Sequence, residues 1–315
     1  MTRVAAIDCG TNSIRLLVAD TGGAAAPLTD VAREMRVVRL GQGVDATGAF
    51  VPEALERTRA ALEEYAGIIA RTGATAVRMV ATSATRDASN RDEFFAMTAR
   101  ELGAVVPGAV AEVITGEEEA ALSFTGAVGE LDAAGAPFAV TDLGGGSTEL
   151  VLGDNGGVQA SKSSDIGCVR VTERCLAGDP PSAGEIDAAE EFIVAQFADA
   201  LDAVPVERAR TWVGVAGTMT TIAAIALGLD HYDPARIHLS RIPFRRLHQV
   251  CDELVAMTRE QRAALPVMHP GRADVIGGGA LVTRALARVC EERAGLDELI
   301  VSEHDILDGI ALSIP

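Results

Sequence analysis

A chain of 315 residues, 48% hydrophobic but only 3% aromatic, is long enough for two domains with aliphatic cores. Its net charge of −18 argues against nucleic-acid and membrane partners, because nowhere are Lys and Arg dense enough to release counterions. Five scattered cysteines (Cys9, Cys168, Cys175, Cys251, Cys290), with no C-x-x-C pair, speak against zinc and a disulfide framework and make the reducing cytoplasm the expected compartment.

In chain order, Arg3 and Asp8 interrupt the apolar start, so no signal peptide is expected. Val4–Asp8 and Ile14–Asp20 read as a hairpin around the small turn Gly10-Thr11-Asn12-Ser13, and 32–40 continues the sheet. Leu40–Val44 is a loop. Pro52 starts a helix to about Arg71, and 76–81 is a short buried strand. The polar stretch from Thr82 to Asn90 follows a strand end and leads into a helix over 91–102, the usual place for a ligand in an open α/β sheet. Its one cation, Arg86, either forks onto a phosphate or pairs with Asp87 or Glu93 at the surface.

A strand over 109–114 precedes Thr115-Gly116-Glu117-Glu118-Glu119. Thr115 and Glu118 have capping-box spacing, and Glu117 suits the helix dipole. Glu119 lies about 100° round the helix from Glu118, so the two cannot share a role, although a solvated acidic turn is the commoner fate of three such residues. Residues 126–137 pass to a second half. There 138–142 and 148–153 form another hairpin, around Gly144-Gly145-Gly146-Ser147, and 158–164 a third strand. Ser182 is placed to cap a helix over 183–203.

The run 211–229 holds 19 uncharged residues, near the length of a membrane span, but its Gly and Thr content favours a strand, a turn and a buried helix. The turn containing Gly217 and Thr218 suits either an anion or close helix–sheet packing. Helices over 243–257, 259–265 and 275–290 follow, then a strand over 299–302 and a last helix over 306–312 that crosses back to the first half. His304 has no Cys or His neighbour in sequence and reads as a capping or surface residue.

The two hairpins repeat each other. Aligning Val4–Asp20 with Phe138–Asp154 makes six of 17 pairs identical: Ala5/Ala139, Asp8/Asp142, Gly10/Gly144, Ser13/Ser147, Leu16/Leu150 and Asp20/Asp154. Glycines let backbone N–H groups approach an anion, and hydroxyls add donors. An Asp at the strand end repels phosphate unless a divalent cation intervenes. One such turn could be an ordinary tight hairpin. Two of them point to a two-lobed phosphate-binding cleft.

The segments I-D-C-G-T-N-S-I-R-L-L-V, A-T-S-A-T-R-D-A-S-N, I-T-G-E-E-E-A, D-L-G-G-G-S-T-E-L-V, S-D-I-G-C-V-R and G-V-A-G-T, in this order, resemble the exopolyphosphatase/guanosine pentaphosphatase (Ppx/GppA) family. The resemblance runs essentially end to end. It implies an α/β fold of two ribonuclease-H-like lobes of the actin/sugar-kinase/heat-shock-ATPase superfamily with a cleft between them. The expected boundaries are 1–125, joined by 305–315, and 126–304. The chain corresponds to the short, two-domain form of the family.

By resemblance Glu119 is the general base, Arg86 the phosphate grip, and Glu149 an assisting acid. Asp142, with Asp8 or Glu149, is expected to hold Mg²⁺ or Mn²⁺. Gly10, Thr11, Asn12, Ser13, Arg15, Thr82, Gly144, Gly145, Gly146, Ser147, Thr148, Gly217 and Thr218 complete the expected phosphate-binding set. The implied activity is hydrolysis of terminal polyphosphate, with pppGpp 5′-phosphohydrolysis as the alternative and a kinase or a non-catalytic alarmone-binding protein behind it. Implied partners are inorganic polyphosphate or guanosine penta- and tetraphosphate, with a homodimer left open.

Overall fold

The structure, a computed structural model, describes residues 2–22 and 28–315. The chain divides into two compact units, Met1–Gly126 with Ile306–Pro315, and Ala127–Asp305.

The first unit contains β1 (Thr2–Cys9), β2 (Ser13–Thr21), β3 (Thr29–Val37), α1 (Val44–Thr47), α2 (Pro52–Thr72), β4 (Ala76–Ala81), α3 (Ser83–Asp87), α4 (Arg91–Gly103), β5 (Ala111–Val113) and most of α5 (Gly116–Val128). Its strands lie in the order β3-β2-β1-β4-β5. The first three form an antiparallel meander, while β4 and β5 run parallel to β1. Strand alternation sorts β1 between two cores. Ala5, Ile7 and Cys9 face a cluster with Leu62, Tyr65, Ile69 and Phe94 of α2 and α4. Val4 and Ala6 face Leu307, Ile310 and Ala311 of the last helix, Ile306–Ser313. Both faces are thereby covered, as a sheet with parallel strands requires.

The second unit contains β6 (Phe138–Leu143), β7 (Thr148–Asp154), β8 (Gly157–Ser164), α6 (Cys168–Cys175), α7 (Ala183–Ala203), β9 (Thr211–Val215), α8 (Ala216–Ala226), α9 (Pro234–Ile237), β10 (Ser240–Pro243), α10 (Phe244–Ala256), α11 (Arg259–Ala263), α12 (Ile276–Ala294) and β11 (Glu298–Val301); the last helix of the first unit is then α13. The sheet order is β10-β11-β9-β6-β7-β8. Read from its far edge, β8-β7-β6-β9-β11 is again an antiparallel meander followed by two parallel strands. The repeat in the sequence therefore folds as two ribonuclease-H-like units of the same strand order. The uncharged run 211–229 becomes β9 and α8, both buried, and among the described residues no helix is long and apolar enough to cross a membrane.

Several elements differ from the sequence expectation. The strand expected over 32–40 ends at Val37, because the amides of Val38, Arg39 and Gly41 leave the ladder to bond the carbonyls of Asn12 and Thr11. The strand expected over 109–114 shortens to Ala111–Val113, its start taken by a turn in which Ala109 N–H donates to Val106 O. Pro243 sits in β10 opposite Glu298, so α10 begins one residue later. Helix α8 begins at Ala216, directly after β9, where a turn was expected. Ala216 has φ 69°, a left-handed conformation that is rare for a residue with a Cβ and that concentrates at functional sites.

Candidate active site

In the first unit the site residues converge at the carboxyl ends of the parallel strands. Asp8 and Arg15 are directly opposite in the β1–β2 ladder. Arg15 donates from Nε (3.0 Å) and Nη2 (2.7 Å) to Asp8 Oδ2, so the first expected metal acid already holds a guanidinium, and that guanidinium is committed. The loop between them is fixed from behind. Gly41 N–H donates to Thr11 O (2.8 Å), and the Val38 and Arg39 amides donate to Asn12 O (3.1 and 2.8 Å). Gly10 N–H closes the turn on Ser13 O. Cys9 neighbours Ala81 across the parallel pair, and Thr82 N–H donates to Cys9 O, which seats buried Thr82 beside the loop.

Helix α3 then delivers Arg86. Its Nη1 donates to Glu119 Oε2 (2.8 Å) and to Ile114 O (2.9 Å). Arg86 therefore pairs neither with Asp87 nor with Glu93, and Nε and Nη2 make no hydrogen bond among the described residues. Glu119, in the first turn of α5, is buried. Glu118 behaves differently from expectation. Thr115 Oγ1 does accept its backbone N–H, but the Glu118 carboxylate turns outward to Arg78 Nη2 (2.5 Å) instead of closing a capping box. The arginine on β4 offers a stronger, charged donor. Sequence inspection also passes over the hydroxyls of Ser83 and Thr85 on α3, which are buried without a hydrogen-bond partner among the described residues.

In the second unit Asp142 and Glu149 occupy the ladder positions that Asp8 and Arg15 occupy in the first. Here two carboxylates face each other across β6–β7, Asp142 6% and Glu149 1% exposed. Ser163 Oγ donates to Glu149 Oε1 at 2.7 Å. Like charges directly opposite are unfavourable. The remedy that suits two buried hard oxygen donors is a hard divalent cation, so this pair fits Mg²⁺ or Mn²⁺ better than Asp8 does.

The Gly144–Thr148 loop closes through Gly144 N–H to Ser147 O, and Thr148 Oγ1 donates to Ile166 O (2.6 Å). Gly217 and Thr218 lie in the first turn of α8, next to this loop because β6 and β9 are parallel with Asp142 opposite Val215. Arg272, which the sequence places only in a turn, packs its guanidinium over Gly217 and donates to Thr221 Oγ1 (3.1 Å), adding a cation to this end of the unit. Burial pushes the Cys168 thiol up to about 11 and the Cys9 thiol further, so neither cysteine beside the loops offers a thiolate near neutral pH.

His304 is not the isolated residue its sequence neighbourhood suggests. Its ring lies 4.5 Å from that of His238, and the Glu130 carboxylate lies 3.2 Å from His304 Nδ1 and 3.3 Å from His238 Nε2. The N–H of Glu303 donates to His238 Nδ1, which assigns that ring's own proton to Nε2, facing Glu130. His238 thus donates within this trio and does not present a lone pair to a metal. Three residues so far apart in sequence leave no local spacing to read.

The chain as a whole is also similar to known proteins. The model of the Ppx/GppA phosphatase family matches residues 17–314. The chain is 65% identical over 316 aligned positions to exopolyphosphatase 2 of Mycobacterium tuberculosis, covering 100% of this chain and 99% of that one. The crystal structure of an exopolyphosphatase-like protein superposes with a TM-score of 0.92 at 45% identity, over 99% of this chain and 98% of the other. A Ppx/GppA member from Aquifex aeolicus superposes at 0.77 with 30% identity, over 99% and 97%.

Proposed function

The chain belongs to the Ppx/GppA phosphatase family, and from that premise we propose that it is an exopolyphosphatase, hydrolysing the terminal phosphoanhydride of inorganic polyphosphate and releasing orthophosphate. The name of the 65%-identical relative supports this substrate. The observation that carries the chemistry is the facing pair Asp142 and Glu149 beside a glycine-rich loop. Such an acid pair is of use to a polyanion only with a divalent cation between them.

Each unit contributes its own groups. Glu119 takes the proton from an attacking water, whose oxygen forms the new P–O bond as the bridging P–O bond breaks. The shortened chain leaves with the bridging oxygen as its new terminal oxyanion. Arg86 holds Glu119 in place through Nη1 and turns its remaining N–H groups to the charge on the transferred phosphoryl. In the first unit the N–H and hydroxyl groups of Gly10–Ser13 bind phosphate oxygens, with Thr82 beside them, and in the second those of Gly144–Thr148 do so, with Gly217 and Thr218 beside them. Arg15 holds Asp8 and so reaches the substrate indirectly. Asp142 and Glu149 would hold Mg²⁺ or Mn²⁺, which would supply charge neutralisation to phosphate oxygens.

Phosphate release measured with Mg²⁺ over a range of polyphosphate lengths, with pppGpp as comparison substrate, tests the reading. Release from polyphosphate in preference to pppGpp is expected. Release from pppGpp alone, or from neither, contradicts it.

A further inference from the structure

Behind the second phosphate loop lies helix α6, whose first turn is spent on the loop itself. Cys168 N–H donates to Gly144 O (3.0 Å), and Val169 and Arg170 N–H to Gly145 O (2.9 and 3.2 Å). Arg170 Nε then donates to Gly146 O at 3.0 Å. Three successive carbonyls are thus drawn to the same side. In a trans peptide the following N–H points opposite to the carbonyl. Fixing the carbonyls of 144, 145 and 146 therefore turns the N–H groups of Gly145, Gly146 and Ser147 away from α6 together. Among the described residues none of these three N–H groups has an acceptor. A run of outward N–H groups is an anion nest.

Gly167 makes the close approach possible. A Cβ there would stand 2.4 Å from the carbonyl carbon and oxygen of Gly145 and 2.7 Å from Gly144 O. These are backbone atoms, which cannot swing aside. Alanine at 167 would push the loop off the helix.

We infer that Gly167 and Arg170 are positioning residues for polyphosphate binding. Arg170 acts through the carbonyl of Gly146, aiming the nest, and not through its charge. The inference rests on the phosphate-binding role proposed above for residues 144–148.

Three substitutions at Arg170 separate these roles. Met matches the length of the side chain to Nε but carries no donor. Gln places an uncharged N–H₂ at the same number of bonds from the backbone as Nε. Lys keeps the charge but carries its donor one atom further out. For phosphate release from short polyphosphate, Arg170→Met should raise KM about ten-fold with kcat within about two-fold, because ground-state binding is what the nest supplies. Arg170→Gln should restore most of the wild-type KM. Gly167→Ala should raise KM at least as much as Arg170→Met, while Gly184→Ala, where an added Cβ meets nothing within 4 Å, should leave it unchanged.

A second readout does not depend on turnover. Tripolyphosphate should raise the Tm of wild type and Arg170→Gln, and raise those of Arg170→Met and Gly167→Ala less. If Gln is as poor as Met while Lys is active, Arg170 acts by charge and the inference falls. It falls as well if KM and the tripolyphosphate shift are untouched in Met and Ala, or if wild type shows no shift. A wild type that is shifted but releases no phosphate counts against the proposed activity and leaves the nest standing.

Discussion

The two hairpins are the same device loaded with opposite charges. At one ladder position the first carries Asp8 against Arg15, joined by two hydrogen bonds. At the equivalent position the second carries Asp142 against Glu149. The first hairpin sets a guanidinium against its Asp, and the second sets another carboxylate there. An ion pair with its own cation has little to gain from a metal, whereas two buried facing carboxylates have much to gain. The loops are also braced differently. Amides of a connecting loop brace the first, with Gly41 approaching the side chain of Thr11. A helix start braces the second, with Gly167 approaching backbone.

The largest effect that tests this division is on chemistry. Glu119→Gln should lower kcat by about 10²–10⁴-fold and leave tripolyphosphate binding nearly intact, as phosphate-release kinetics and the ligand-induced Tm shift would show. Retained wild-type activity would remove the base from the first unit. Next, Arg15→Met removes both hydrogen bonds that Arg15 gives the buried Asp8 carboxylate. A loss of about 2 kcal/mol by urea unfolding is expected, reduced from the fully buried case because Arg15 keeps some contact with water. An unchanged stability would mean that the pair is idle.

Glu149→Gln should act in the opposite sense. With metal chelated it should raise stability by up to about 1 kcal/mol, because a like-charge pair is relieved, while activity falls sharply. A destabilised Glu149→Gln in chelator would contradict repulsion between the acids. The smallest effect is expected at Gly41→Ala. Its Cβ would meet Thr11 Cγ2 at 2.3 Å and Ala84 Cβ at 3.0 Å, side-chain atoms where Gly167 would meet backbone. KM should rise less than in Gly167→Ala, and the reverse order in the same assay would overturn the contrast between the two braces.

Much of this was readable from the residues. The repeat announced two hairpins of equal plan, because strand alternation, an Asp at the strand end and small turn residues are local signals. Arg86 and Glu119 took their roles from resemblance, and only the folded chain places them 2.8 Å apart across β4 and β5. What stayed hidden is what strands and helices do to one another. Glu118 was expected to cap its own helix, but the stronger partner, Arg78, arrives from a distant strand. The strand over 32–40 was cut short by amides needed elsewhere. Gly41, Gly167 and Arg170 looked like loop and helix-start residues, since no sequence pattern says which backbone a glycine must admit. His304 looked solitary because its partners are Glu130 and His238.

A Mn²⁺ titration followed by electron paramagnetic resonance reads directly, without turnover, which residues hold the external cation. Wild type and Asp8→Asn should bind Mn²⁺ with similar affinity, while Asp142→Asn and Glu149→Gln should each weaken it at least ten-fold. Weakened binding in Asp8→Asn, with Glu149→Gln unaffected, would contradict the account.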